Sequence, residues 1–317
     1  VVDFSSASAH RMTFPTNTLN AGSGDFAIYS VTKRSTATQG SIIAFGTAAG
    51  NTGFYAGFVN TGQHMYNTTT GTYYPNTGIS PFNTSMLTKF AQYGSNKRRV
   101  NTNGRLTGLD SSLSINITQA SAFIGSGISG SYYFDGKLAE LIVYQTDPSG
   151  INESKIQSYL AVKYGLTIDQ TTPTNYVASN GTVVWNATTH AAYKSRIFGI
   201  GYDACSGLLQ KQSRSILDSN GILTMSLNTM AASNIANTGS FTNDSTYIML
   251  GDNNAAMTEN SADLPSTISN CSKRMAREWK ADITGIVVPV ELRFNLNTVT
   301  ISGSVANDFK LLIDNDG

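Results

Sequence analysis

Apolar and polar residues alternate along most of this chain with a period of two, in short runs separated by Gly, Asn, Asp, Ser and Thr. That pattern predicts half-buried β-strands joined by turns. In the first half, 25–31 (DFAIYSV) alternates strictly, 41–46 (SIIAFG) is continuously apolar, and the Gly and aromatic segment 53–58 (GFYAGF) follows. Residues 86–93 and 123–126 supply further strands, and 137–144 (KLAELIVY) another, entered through the turn pair Asp135-Gly136. Asn103-Gly104 predicts a type I′ hairpin tip.

Helical spacing emerges convincingly once. After the break Asp147-Pro148-Ser149-Gly150, the residues Ile156, Tyr159, Leu160, Lys163 and Tyr164 recur on one face. Asn152 is the predicted N-cap, Glu153 suits the positive end of the helix dipole, and Ile151 is placed to staple onto Ile156. Gly165 stands where a left-handed C-cap residue belongs. Pro173, in the segment 169–174, prevents the helix from resuming. Strand patterns then return at 182–185, 196–201, 222–227, 247–251, 276–281, 287–294 and 309–313, a spacing that predicts an antiparallel β-sandwich.

The turn Phe134-Asp135-Gly136, the strand KLAELIVY and the helix with its tail SYLAVKYGLTI resemble the C-terminal end of concanavalin A-like, laminin-G-like jelly-roll domains in very large secreted proteins of the Bacteroidota. The runs 25–31 and 123–126 and the Asn103-Gly104 tip are similar to strands and a hairpin of the same family. The pieces IFGIGYDACSGLLQKQS, YIMLGDNN and RMAREWK resemble a companion β domain that follows it in those surface proteins. The resemblance implies an all-β chain: a jelly-roll sandwich over residues 1–168 closed by one short helix, a linker at 169–174, and a second antiparallel β-sandwich over 175–317. It implies an extracellular or bacterial cell-surface location, export by the type 9 secretion route, and a non-catalytic adhesive or stalk role in surface attachment or gliding. The partners it implies are an extracellular polysaccharide or other surface polymer and neighbouring domains of the same long chain. Both ends are expected to be cut from something longer, since VVDF reads as the inside of a strand and LLIDNDG stops directly after one.

The length of 317 residues suits two domains. Charged residues make up only 13% of the chain and the net charge is +1, so its polar faces are built from hydroxyls and amides. This balance argues against a nucleic-acid partner, which needs clustered Lys and Arg. The one basic run, Lys97-Arg98-Arg99, reads as a solvated turn. No apolar segment approaches the roughly 20 residues that span a bilayer, so membrane insertion is not expected.

Candidate chemistry is sparse. Retaining glycoside hydrolysis needs two carboxylates about 5 Å apart. Asp135 and Glu140 are five positions apart across a turn and Glu278 and Asp282 straddle a strand end, so neither pair is placed side by side on one face; a glucanase-type hydrolase is the third-ranked reading and no catalytic residue is assigned. Glu140 fits the strand pattern of the resembled family, a structural role. His10, His64 and His190 each lack a neighbour at metal-ligand spacing, and Gly199-Ile200-Gly201 lacks the third glycine of a dinucleotide loop. No cofactor is required. Calcium is the ion the resemblance admits, held by oxygen ligands at a sheet rim. Its candidates are Asp3, Asp25, Asp135, Asp252 with Asn253 and Asn254, and Asp314 with Asp316, each of which could instead make an Asx turn.

A lectin-like glycan-binding module is the alternative function. Phe54, Tyr55, His64, Tyr66, Tyr73 and Tyr74, in a Gly-, Thr- and Asn-rich stretch, could stack on sugar faces or fill the sandwich core. Cys205 and Cys271 have no CxxC context and make no metal site. In an exported domain they would form one disulfide; two independent buried thiols are the other reading.

Overall fold

The computed structural model describes residues 1–15, 19, 22–36, 39–48, 50–59, 63–68, 71–73, 82–94, 97–110, 116–118, 122–128, 130–264, 272–285, 289–297, 299 and 309–314, with backbone alone at 51, 63–68, 71–73 and 110. The first part of the chain runs through β1 (Val2–Phe4), β2 (Met12–Thr13), β3 (Phe26–Arg34), β4 (Gly40–Gly46), β5 (Gly53–Val59), β6 (Gln63–Thr68), β7 (Gly71–Tyr73), β8 (Ser85–Tyr93), β9 (Lys97–Thr102), β10 (Arg105–Asp110), β11 (Ala122–Ile124) and β12 (Gly136–Tyr144). They form two six-stranded antiparallel sheets, β1-β12-β3-β8-β9-β10 and β2-β11-β4-β5-β6-β7, stacked as a jelly-roll sandwich.

Strand alternation decides the layers. Along β3, Phe26 and Ile28 face β4 and β5 and join Phe45, Phe54, Phe58 and Phe90 in the sandwich core. The intervening Ala27, Tyr29 and Val31 are just as buried but lie on the outer face of the first sheet, in a second core. A strand buried on both faces needs a further layer outside it. That layer is α1 (Ile151–Tyr164), the only α-helix among the described residues. No helix there is long and apolar enough to cross a membrane.

Beyond α1 come β13 (Tyr176–Val177), β14 (Val183–Trp185), β15 (Ser195–Asp203), β16 (Leu208–Gln210), β17 (Gln212–Ser213), β18 (Leu223–Leu227), β19 (Thr246–Asp252), β20 (Glu259–Asn260), β21 (Arg274–Met275), β22 (Trp279–Thr284) and β23 (Val290–Phe294). The sheets β16-β15-β19-β22 and β17-β18-β23 enclose Phe198, Ile200, Met225, Leu227, Ile248 and Leu250. The chain is therefore all-β with one helix: a jelly roll followed by a smaller antiparallel sandwich.

Several local expectations change. α1 starts at Ile151 with Gly150 as N-cap, at φ 55° and with no side-chain cap, so Asn152 lies inside the helix. Ile151 is 51% exposed, so it makes no staple. Gly165 does adopt the left-handed C-cap conformation, at φ 64°. Strand β22 begins later than the pattern at 276–281 suggests, and residues 309–314 are irregular. The hairpin tip is as expected, with Asn103 and Gly104 at φ 47° and 86°. Lys97-Arg98-Arg99 is not a solvated turn: it opens β9, with Arg98 buried inside the sandwich and Arg99 paired on the outer face.

Candidate functional site at the domain junction

α1 is enclosed between the outer face of the first sheet and the strands of the second domain. Leu160, Ala161 and Val162 are fully buried, and they share one core with Tyr29 and Leu87 on one side and Tyr176, Trp185, Ile197 and Met249 on the other. Polar groups fix the register. Ser158 Oγ accepts from Val177 N at 2.9 Å, and the Tyr176 hydroxyl oxygen accepts from Ile168 N at 2.8 Å. Glu140, on β12, receives the hydroxyls of Tyr159 (2.9 Å) and Tyr164 (2.8 Å) and the ammonium of Lys163 (2.8 Å). Burial, and then the bond to Glu140, push the Tyr164 hydroxyl well above its usual range. This is the structural role expected of Glu140.

At the other end of the helix lies a buried ion cluster. Lys89, 1% exposed, reaches Asp147 at 2.7 Å, Glu153 at 3.1 Å and the Pro148 carbonyl at 3.0 Å. Arg99 reaches the same two carboxylates at 2.8 and 3.1 Å. Gln157 adds a hydrogen bond to Glu153 at 3.1 Å, and the Lys89 ammonium stands 5.4 Å from the centre of the Tyr29 ring. Burial works against the charge of Arg99, but its bond to Asp147 and the fields of both carboxylates outweigh that and raise its pKa. The cluster holds 147–153 onto the sheet, and the N-cap residue Gly150 has no side chain to cap the helix.

The hairpin tip closes the third side. Asn103 N donates to Leu87 O at 2.7 Å, its side-chain oxygen accepts from Leu87 N at 2.9 Å, and its carbonyl accepts from Asp169 N at 2.7 Å. Beside it is a cleft of about 190 Å³ between the two domains. Ser85, Met86, Thr102 and Asn103 form one wall, and Thr167 and Ile216 belong to the other. The lining is hydroxyls, an amide and aliphatic side chains, and most of the surface it exposes is apolar.

Sequence-predicted site residues are scattered. Phe54 is fully buried, edge-on to Phe26 at 5.0 Å, and cannot stack on a sugar; β-sheet alternation sends it into the core. Tyr55 points to the opposite face and is nearly buried, 6.2 Å from Tyr132. The side chains of His64, Tyr66 and Tyr73, and all of Tyr74, lie outside the described residues. Asp3 is exposed and pairs with Lys137, Asp25 is exposed, Asp135 accepts from Ser6 N at 3.4 Å, and Asp252 is buried against Arg196 and turned toward Asn254 N. Asp314 is exposed and Asp316 lies outside the described residues. These carboxylates do not converge: among the described residues no three His, Cys, Asp or Glu side chains group as a metal site. Cys205 is exposed and has no disulfide partner among the described residues, and Cys271, its expected partner, lies outside them. His10 is exposed, whereas His190 rests on Trp185 at 4.7 Å with Nε2 2.9 Å from Asp282.

Periodicity gave no hint of Asp203, a buried carboxylate on β15. It accepts Ser179 N at 2.7 Å, Ser179 Oγ, Tyr247 Oη at 2.8 Å and Ser206 N at 3.2 Å. Burial alone would raise its pKa, but the bonds from Ser179, Tyr247 and Ser206 prevail and hold it below the usual carboxylate range. Its proton is therefore taken up first by the unfolded chain. The stability it contributes is complete above about pH 4 and is lost as pH falls through the folded value. Asp203→Asn is expected to cost about 2–3 kcal/mol at neutral pH and to flatten the acid limb of Tm against pH; an unchanged limb in calorimetry would refute this.

No curated protein matches the chain. Among solved structures it is similar to domain 4 of AbnA, a GH43 extracellular arabinanase from Geobacillus stearothermophilus, at 15% identity and a TM-score of 0.35, over 44% of this chain and 68% of that one. The heptameric SAP-like pentraxin from Limulus polyphemus gives 16% identity and a TM-score of 0.37, over 56% and 88%. Domains LG4-5 of the mouse laminin alpha1 chain give 11% and 0.34, over 43% and 39%. At such TM-scores the likeness carries no functional argument. The model of a family described as a domain of unknown function, DUF8202, matches residues 152–317, beginning in the first turn of α1 and taking in the linker and the second sandwich, so the chain belongs to the DUF8202 family.

Proposed function

We propose that the chain is a rigid, non-catalytic module of a large secreted or cell-surface bacterial adhesin, an adhesive or stalk segment of the kind Bacteroidota export by type 9 secretion for attachment or gliding. The observation that carries this reading is the single core through α1, which ties the outer face of the jelly roll to the second sandwich. Two domains that share a core resist bending at their junction, as a rigid spacer must. The carboxylates of the two candidate pairs are engaged elsewhere: Asp135 by Ser6 N, Glu140 by the helix, Glu278 by Arg274 at 2.6 Å and Asp282 by His190. That supports a non-enzymatic role.

The junction cleft favours a second reading within the first, a glycan-binding module that takes a neutral sugar between the domains. Its few hydroxyls and the Asn103 amide would hydrogen-bond a sugar, and its aliphatic side chains would meet the apolar faces of the ring. The test is binding of the full chain to a broad polysaccharide panel, with calcium and again with chelator. Saturable binding lost in Leu217→Trp, which narrows the cleft from its exposed rim, is the expected result for the glycan module. Binding unaffected by that change would remove the cleft as the site, and no binding in either condition would leave the spacer role alone.

A further inference from the structure

Arg34 ends β3 on the face that looks into the first sandwich, in line with Phe26 and Ile28. It is 2% exposed, and its Nε, Nη1 and Nη2 atoms have no hydrogen-bond partner among the described residues. Its guanidinium carbon lies 4.3 Å from the centre of the Phe82 ring and 5.3 Å from that of Phe58. Ser30 and Thr32, at alternate positions on the same strand face, are also buried with their hydroxyls unpartnered. The contrast with Lys89 is direct: an equally buried cation there has two carboxylates and a carbonyl. Two aromatic faces offset only part of the cost of taking a cation out of water. Burial accordingly lowers the pKa of Arg34.

We propose that Arg34 anchors an anion-binding site at this end of the jelly roll, which takes a carboxylate group against the guanidinium between Phe58 and Phe82. The planar fork of a guanidinium meets a carboxylate through two parallel N–H···O bonds. One cation balances a monoanion, whereas a phosphate dianion would leave buried negative charge uncompensated. Phe82, 43% exposed, is the outer wall of the site, so a ligand reaches Arg34 past a surface side chain and not through the core. The carboxylate could belong to an acidic sugar or to a free organic acid. The site is separate from the junction cleft and stands whether or not that cleft binds a neutral glycan.

The test follows calorimetric titration and the Arg34 Nε–H NMR resonance as glucuronate, acetate, a neutral glucoside and inorganic phosphate are added to the full chain. Saturable carboxylate binding with Kd of about 0.1–10 mM, a shift of the Arg34 resonance, and no response to the neutral glucoside are expected. Glucuronate binding at least about tenfold tighter than acetate identifies an acidic sugar, and equal affinities identify a free acid. Arg34→Met is expected to abolish binding while raising Tm by about 3 °C or more, because an apolar side chain replaces a dry charge. Arg34→Lys keeps the charge but not the fork and is expected to weaken binding at least about tenfold. Wild-type affinity in Arg34→Met, a fall in its Tm, an unmoved Arg34 resonance at saturation, or phosphate binding tighter than acetate would each overturn the proposal.

Discussion

Replacing Lys89 by alanine is expected to lower the stability of the chain by about 3–5 kcal/mol, because it strips the shared cation from two carboxylates that remain out of water. Asp147 and Glu153 are 4% and 13% exposed, so neither recovers its hydration when the ammonium goes. Arg99 continues to touch both carboxylates, but it is more exposed than Lys89 and cannot neutralise two charges. The loss falls on the segment that leads into α1, so the helix N-terminus should fray first. Urea unfolding followed by circular dichroism gives the magnitude, and amide exchange at 147–157 gives the location. A cost below about 1 kcal/mol would show that Arg99 alone suffices, and the cluster would then be a surface ion pair in energetic terms.

Trp185→Ala carries an expected cost of similar size, about 3–5 kcal/mol, by a different route. Trp185 is fully buried in the core that α1 shares with the second domain, with the His190 ring tilted against it, and alanine leaves a cavity that close-packed neighbours cannot collapse into. Because its core is common to both domains, the wild-type chain is expected to melt in one calorimetric transition. The alanine variant should separate that into two, with the second sandwich unfolding first. Two transitions in the wild type would contradict the shared core, and a single transition at unchanged Tm in the variant would contradict the placement of Trp185.

The residues that signalled strands did so where one face was buried and turn chemistry was local. Residues 25–31, 53–58 and 137–144 alternate or carry turn glycines, and Asn103-Gly104 demands positive φ at both positions, so these elements follow from short-range sterics. The helix cap misled because Asn152 is a good N-cap in isolation. Its helix starts instead at Ile151, where Lys89 and Arg99 hold the preceding segment from strands distant in sequence. Lys97-Arg98-Arg99 misled for the same reason. A basic run is solvated unless something far along the chain supplies its counter-charge, and Asp147 and Glu153 do so for Arg99.

The candidate sites were less legible still. An aromatic in a Gly-rich stretch can stack on a ligand or fill a core, and only the sheet pairing shows that Phe54 fills the core. Arg34 carries no signal in the sequence, because burial without a hydrogen-bond partner among the described residues is a property of the surroundings and leaves no mark on the local pattern. The same holds for Asp203, whose four donors come from three separate segments.

By itself, then, the order of residues determined an all-β chain of two sandwiches with one helix between them, since period, turn residues and the Gly165 cap act over a few positions each. The tertiary structure alone decided what lies between the sandwiches, a helix buried on both sides, an ion cluster that pins its start and a cleft lined from both domains, and what lies inside the first of them, an arginine buried between two rings. These depend on burial and charge compensation among groups far apart in sequence, which only the packed chain brings into contact.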